Sequence, residues 1–246
     1  ASVSLWYNGS DISLYTANLA YEHLFNEKTS LRGTIGQFEN DFYSNEKNSW
    51  NNEFLGYSIS TNHFNRNTIG LELKLKTEYF DFSVASTRDS VKSFELNKNE
   101  ITAVATVRPV KQLSISGVYV NSFRNNTDSN IFGGLANFTQ NIKRVGLVNV
   151  GVEFLTSVKD STSSSFSSSL EFTPRKSVVS VLGRYDLMFP NKSNTDVKTS
   201  SFTGAVICHP LEEVKLGLFY NRTTMNYGSS LKNSMNKFGL MTQVVF

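Results

Sequence analysis

The 246-residue sequence predicts an all-β fold built from antiparallel strands. Apolar and polar residues alternate with period two in many short stretches, most clearly over residues 69–76, where Leu71 and Leu73 alternate with Glu72, Lys74 and Lys76. Aromatic residues make up 13% of the chain and favour strands. Tight turns and long polar connections follow one another along the sequence, which is typical of successive hairpins.

The N-terminal third predicts strands over residues 2–7, 15–22 and 31–36, with turns at 8–10 and 26–29. Residues 40–52 are polar and predict a longer loop, and the alternation at 55–60 predicts the next strand. After residue 76 the apolar set moves from odd to even positions, at Phe80, Phe82 and Val84. A β-bulge at Thr77 and Glu78 is the preferred explanation of this shift, over a turn.

A recurring unit follows, in which a strand ends, the chain turns and a new strand begins. Pro109, Pro174 and Pro210 occupy the same slot in three copies of this unit, because proline lacks the N–H that a strand ladder needs. The segments 121–130, 157–165, 190–199 and 225–236 are polar and predict long loops at the opposite rim. Alternating the strand direction back from the C-terminus gives about fourteen strands, with both termini on the short-turn rim.

The final residues, 237–246, form an alternating strand that ends on an aromatic side chain. This strand, together with the short turns at one rim and long loops at the other, resembles the bacterial outer-membrane β-barrels, and in particular the porin-like ones. The resemblance implies an antiparallel transmembrane β-barrel, with residues 1–246 as one domain, in the outer membrane of a Gram-negative bacterium. A chain that begins Ala-Ser also suits an exported protein whose signal peptide has been cleaved. The resemblance further implies a signal for the barrel-assembly machinery, carried by Phe238, Leu240, Val244 and Phe246.

The charged residues that alternate with apolar ones are expected to line the lumen of such a barrel. These candidate pore-lining residues are Glu22, Arg32, Glu72, Lys74, Lys76, Arg108, Glu153, Glu171, Arg184, Asp186 and Lys215. Six of them are cations and five are carboxylates, which predicts weak charge selectivity. The predicted function is passive passage of ions or small hydrophilic solutes.

The sequence offers little for catalysis, and the chain is interpreted as not being an enzyme. His23, His63 and His209 all fall near short turns, and the adjacent Glu22 and His23 point to opposite faces of a strand. The single Cys208 cannot form a zinc site alone, so neither a metal nor a cofactor is predicted. Cations are scattered rather than clustered in the sequence, so no nucleic-acid partner is expected. The expected partners are membrane lipid, the assembly machinery and, through the long loops, other proteins.

Three alternatives to a bacterial outer-membrane channel stay open at this point. A non-conducting outer-membrane barrel would serve as a structural or partner-binding subunit of a larger complex. A mitochondrial porin-like barrel usually has short hairpins at both rims and begins with a helix, and neither pattern is present. A soluble β-sandwich gives the same alternation, and the mean hydropathy of −0.26 suits either a sandwich or a barrel with a wet lumen.

Overall fold

A computed structural model of the protein describes residues 2–7, 12–39, 67–89, 98–124, 127–158, 162–191, 194, 196–211, 214–228 and 232–244. All regular secondary structure in these ranges is β-strand. The strands are β1 (Ser2–Tyr7), β2 (Ile12–Asn26), β3 (Thr29–Glu39), β4 (Asn67–Lys76), β5 (Phe80–Asp89), β6 (Lys98–Val110), β7 (Leu113–Arg124), β8 (Thr127–Ile142), β9 (Gly146–Val158), β10 (Thr162–Pro174), β11 (Val179–Phe189), β12 (Val197–Leu211), β13 (Val214–Tyr227) and β14 (Lys232–Val244).

The fourteen strands form one sheet in sequential order, and each strand pairs with the next in antiparallel fashion. The predicted strand number and orientation are therefore confirmed. Sequential antiparallel pairing needs only hairpin connections, which explains why turn signals alternate so regularly along the chain. None of the described residues belongs to a helix long and apolar enough to cross a membrane.

Cross-strand register divides the side chains of the sheet into two faces. One ladder row joins Thr34, Glu72, Ala85, Thr102 and Val120, all of which are buried. We call the face that carries this row the inner face. The neighbouring row, shifted by one residue, lies on the opposite, outer face, because successive side chains of a strand point to opposite sides.

The outer face exposes a band of large apolar side chains across β2 to β14. Leu73 is 62% exposed, Leu218 64% and Leu240 72%, although all three lie inside strands. The same band contains Leu19, Tyr21, Ile35, Leu71, Phe82, Val84, Ile101, Ile115, Tyr119, Phe132, Val150, Val152, Phe154, Phe166, Leu170, Val181, Tyr185, Phe202, Val206, Leu216 and Phe238. An apolar surface of this extent marks a face that is not adapted to water.

The inner face also packs apolar side chains, which the sequence pattern did not predict. Six buried aliphatic residues of β6 to β9 form one cluster: Val104, Val118, Val120, Ile131, Leu135 and Leu155. A second cluster joins Leu182, Ala205 and Ile207 against Phe219 on β11 to β13. The interior is therefore only partly polar.

The predicted bulge at Thr77 is wrong, because the chain turns there. β4 ends at Lys76 and β5 begins at Phe80, and Lys76 pairs with Asp81 across the hairpin. The Thr77 N–H donates to the Phe80 carbonyl oxygen at 2.9 Å, and the Phe80 N–H donates to Thr77 Oγ1, also at 2.9 Å. The threonine side chain closes the turn, a local hydrogen bond that apolar periodicity does not reveal.

Three of the four long loops predicted at the other rim, 121–130, 157–165 and 225–236, are mostly strand among the described residues, whereas 190–199 is strand only over residues 197–199. In the segment 121–130, Asn121 pairs with Asn130 and Arg124 with Thr127. Thr162 pairs with Val158, so residues 157–165 are also largely paired. The polar residues of these segments continue the β-ladders beyond the apolar band and do not form loops, because backbone pairing does not depend on side-chain polarity.

Prolines of the recurring unit lie at strand ends next to the turns. The register shifts between Val107 and Val110 around Pro109, and between Cys208 and Leu211 around Pro210. These bulges accommodate a residue that lacks an N–H. The predicted turn at 8–10, loop at 40–52 and strand at 55–60 lie outside the described residues.

Candidate functional site

The register places all eleven predicted pore-lining residues at inner-face positions. Glu22 pairs with Arg32, and Arg32 pairs with Lys74. Ser167 pairs with Glu153 on one side and with Asp186 on the other, so these three residues form another inner-face row. Lys215 holds an inner-face register position through its pairing with Gln243. That these residues line a water-filled pore stays a prediction.

A buried charged group lies on the inner face of β9 to β11. Asp186 is 1% exposed, and its carboxylate accepts hydrogen bonds from Ser167 Oγ at 2.5 Å and from Arg184 Nε at 3.1 Å. Glu153 is fully buried, and Glu171 accepts a hydrogen bond from Asn149 Nδ2 at 3.4 Å. Burying a charge is costly unless it is paired and hydrogen-bonded. The hydrogen bonds from Ser167 and Arg184 offset this cost for the Asp186 carboxylate.

The neighbouring wall of β12 and β13 carries a network of neutral polar groups. Asn221 Nδ2 donates to Ser201 Oγ at 2.7 Å and to Thr203 Oγ1 at 2.8 Å. The Thr223 hydroxyl donates to Asn221 Oδ1 at 3.0 Å. Such a network keeps side chains in fixed positions and presents hydrogen-bonding groups to the interior.

The wall on β5 to β7 combines an ion pair with hydroxyl contacts. Arg108 and Asp81 form a salt bridge near the short-turn rim. Toward the other rim, Ser122 Oγ donates to Glu100 Oε1 at 2.8 Å. At the short-turn rim itself, Lys28 Nζ lies 2.6 Å from Glu78 Oε2, and this hydrogen bond raises the pKa of Lys28 above its ordinary value.

Exposed charges on the inner face are concentrated on β2 to β4 and β14, and most are basic. Arg32, Lys76 and Lys237 are exposed, Lys74 is half-buried, and Glu22 is the exposed carboxylate among the described inner-face side chains. Lys237 takes its position through pairing with Asn221, and it is not among the residues predicted from the sequence to line the lumen. The balance of charges predicted from the sequence therefore does not hold for the groups that solvent reaches.

Aromatic side chains with polar partners mark the edge of the outer apolar band. Tyr119 donates its hydroxyl to Asn130 Oδ1, and Tyr220 donates to Asn236 Oδ1, both at 3.0 Å. The Tyr220 ring lies 4.8 Å from that of Phe238. Rings with one polar end suit a membrane–water interface, where one side meets lipid and the other meets water.

The predicted assembly-signal residues lie on or beyond the last strand. Phe238 is 80% exposed and Leu240 72% exposed, both on the outer face. Val244 pairs with Val214, which gives it an outer-face register position. Phe246 lies outside the described residues. A role in assembly stays a prediction.

These features define the fold of an antiparallel outer-membrane β-barrel, with an apolar outer face and an interior that combines polar and apolar groups. Solved structures of such barrels are similar to this chain. One is the outer-membrane expressed OmpT of Vibrio cholerae, at 8% identity and a TM-score of 0.68 over 98% of this chain and 82% of that one. Another is the anion-selective porin from Comamonas acidovorans, at 10% identity and a TM-score of 0.55 over 95% and 90% of the two chains.

At these identities the likeness concerns the fold. No protein-family model and no curated protein sequence matches the chain. The resemblance to outer-membrane barrels and the fold class predicted from the sequence are confirmed. The fold supports the predicted location in the outer membrane of a Gram-negative bacterium, because the similar structures are outer-membrane proteins of Vibrio cholerae.

One sequence-based conclusion needs correction, namely that the chain is not an enzyme. Two OmpT structures of Vibrio cholerae are among the similar structures, and at 8% identity they share the fold without fixing an activity. One fold hosts many functions, and its activity depends on local groups rather than on architecture. The exclusion drawn from three histidines was therefore too strong, and an enzymatic role stays open.

Proposed function

We propose that the protein is a passive channel for small hydrophilic solutes, with a preference for anions. The observation that carries this proposal is the set of inner-face charges that solvent reaches. Arg32, Lys76 and Lys237 are exposed and Lys74 is half-buried, against the single exposed carboxylate of Glu22 within the described inner face. Rings and walls of cations lower the electrostatic barrier for anions and raise it for cations.

The carboxylates of the interior do not offset these cations equally. Glu153 is fully buried and Asp186 is 1% exposed, with Arg184 bonded to Asp186 in the same wall. A carboxylate that is paired with a cation, as Asp186 is with Arg184, contributes less to the potential felt by a passing ion, because the two opposite charges largely cancel at a distance. The anion-selective porin from Comamonas acidovorans shares the fold, so a preference for anions is compatible with a barrel of this kind.

Reversal potential across a planar bilayer tests the proposal. With the purified protein between two unequal KCl solutions, the sign of the reversal potential should report chloride as the more permeant ion. The double variant Arg32→Glu/Lys76→Glu should shift the reversal potential toward potassium selectivity, because it replaces two exposed inner-face cations by carboxylates.

A matched control is Lys198→Glu, which reverses an exposed charge on the outer face of β12. This variant should leave the selectivity close to that of the wild type. A wild-type channel that prefers potassium, or equal shifts for the double variant and the control, would contradict the anion preference.

A second candidate function is a non-conducting barrel that acts as a structural or partner-binding subunit. The buried aliphatic cluster around Leu135 and Leu155 favours it, since these inner-face residues are 2% and 0% exposed and leave no water-filled space beside them. The same bilayer experiment separates the two candidates. Folded protein that inserts into the bilayer without conductance steps would support the second.

A further inference from the structure

Three neighbouring short turns carry a patch of five cations, which we call the basic turn patch. It consists of Lys111 between β6 and β7, Lys143 and Arg144 between β8 and β9, and Arg175 and Lys176 between β10 and β11. All five are exposed. Residues 109–114, 141–147 and 173–180 contain no Asp or Glu. In the part of the chain that the structure describes, no ion pair involves any of the five.

Backbone hydrogen bonds hold these three turns side by side. The Thr139 N–H donates to the Gln112 carbonyl oxygen at 2.8 Å, which joins the first turn to β8. The Arg175 N–H donates to the Val145 carbonyl oxygen at 2.9 Å, which joins the second turn to the third. The cations therefore belong to one continuous segment of the short-turn rim.

Two of the cations occupy backbone positions that favour glycine. Arg144 has φ of 73° and Lys176 has φ of 60°, both in the left-handed region. An L-amino acid with a long side chain is disfavoured there, whereas glycine is not. Folding alone would favour glycine or asparagine at both positions, so their occupation by cations indicates that the charge itself is useful.

Exposed apolar side chains accompany the cations in the same turns. Val110, Ile142, Val145 and Val178 are 52%, 42%, 49% and 53% exposed. Cations beside exposed aliphatic groups are the composition of segments that lie at a membrane surface, where the apolar groups enter the headgroup boundary and the charges meet lipid anions.

We propose that the basic turn patch binds the headgroups of anionic phospholipids in the membrane leaflet at the short-turn rim. Short turns of outer-membrane barrels lie on the periplasmic side, so this leaflet is the one they meet. Clusters of four to eight Lys and Arg next to a membrane-spanning segment attract anionic lipids. This inference does not depend on whether the barrel conducts.

The extent of the patch follows from the neighbouring turns. On one side, Lys28 is neutralised by its ion pair with Glu78 at 2.6 Å. On the other side, the sequence places Glu212 and Glu213 between β12 and β13. Anionic lipid would therefore concentrate at the three basic turns instead of surrounding the whole rim.

Lipid titration followed by native mass spectrometry tests the proposal. The folded protein in neutral detergent is titrated with phosphatidylglycerol or with phosphatidylcholine, and the affinity for each is measured. Wild type should bind phosphatidylglycerol more tightly than phosphatidylcholine. High salt during the titration, before transfer to the volatile buffer of the spectrometer, should remove the difference because it screens exposed charges.

The variant Arg144→Gly/Lys176→Gly removes two cations and suits the left-handed backbone, so misfolding is not the expected cause of an effect. Each cation near an anionic surface contributes about fivefold in affinity, so the pair should reduce phosphatidylglycerol binding by about 25-fold. The control Lys198→Gln/Lys232→Gln makes the same change of charge on exposed residues at the other rim and should bind as wild type does.

No preference of the wild type for phosphatidylglycerol would overturn the proposal. So would an unchanged preference in the glycine variant, or an equal loss in the control. Heat-modifiable gel mobility of each variant confirms that only folded protein is compared.

Discussion

Leu73→Arg is expected to destabilise the protein strongly in a bilayer and hardly at all in water. Leu73 lies on the outer face of β4, is 62% exposed, and pairs with Gly33 and Val84. It is three residues from the end of the strand at Lys76, about 10 Å along the chain. An outer apolar band is about 25 Å tall and its strands are tilted by about 40°, so this position lies about 8 Å inside the band.

The magnitude depends on the medium that covers the outer face. An Arg on the lipid face near the midplane costs about 2–4 kcal/mol. The same substitution on a water-exposed surface changes the free energy of unfolding by about 0.5 kcal/mol or less. Lys74→Arg, at the adjacent inner-face position, keeps its charge and should be close to neutral in both cases.

Guanidinium unfolding of each variant in phosphatidylcholine vesicles, followed by intrinsic fluorescence, gives the free energies of unfolding. A Leu73→Arg variant as stable as the wild type in vesicles would refute the assignment of this face to lipid. A large loss for Lys74→Arg would refute the assignment of the opposite face to the interior.

Three further predictions concern a turn, the buried charges and the last strand. Thr77→Val should lower the free energy of unfolding by about 1 kcal/mol, because it removes the hydroxyl that closes the β4–β5 turn, while Thr77→Ser should retain most of it. Asp186→Ala should cost about 3–5 kcal/mol in the same unfolding experiment, since it removes a carboxylate that is hydrogen-bonded to the buried guanidinium of Arg184; a loss below about 1 kcal/mol would mean that water reaches this group. Deletion of Phe246 should lower the amount of assembled barrel in cells, as measured by heat-modifiable gel mobility, and an unchanged folded fraction would count against the assembly signal.

Strand β4 shows what apolar periodicity can predict. Residues 69–76 alternate without interruption, and the structure places Leu71 and Leu73 on the exposed outer face with Glu72 buried on the inner one. A period of two defines the faces of a strand regardless of what covers them, so fold class and side-chain direction followed from the sequence. The chemistry at the strand ends did not follow, because the Thr77 turn depends on a local hydrogen bond.

The interior was harder to predict than the exterior, for a physical reason. Residues 101–107 of β6 are apolar or small at almost every position, and Val104 is buried on the inner face. A continuous run of this kind is typical of strands covered on both faces. This run was therefore the sequence feature that could have predicted the inner aliphatic cluster. Which charges solvent reaches depends instead on cross-strand packing, which is why Lys237 was missed and the buried state of Asp186 was not foreseen.

Site-specific thiol labelling tests the central claim most directly, namely that the apolar face meets lipid and the charged face encloses water. In a Cys208→Ser background, Leu73→Cys and Arg32→Cys each place one thiol in adjacent strands, on the outer and inner faces respectively. In intact membranes, a membrane-partitioning reagent should label Leu73→Cys, and a small water-soluble reagent should label Arg32→Cys. Reaction of Leu73→Cys with the water-soluble reagent, together with protection of Arg32→Cys from it, would contradict the account.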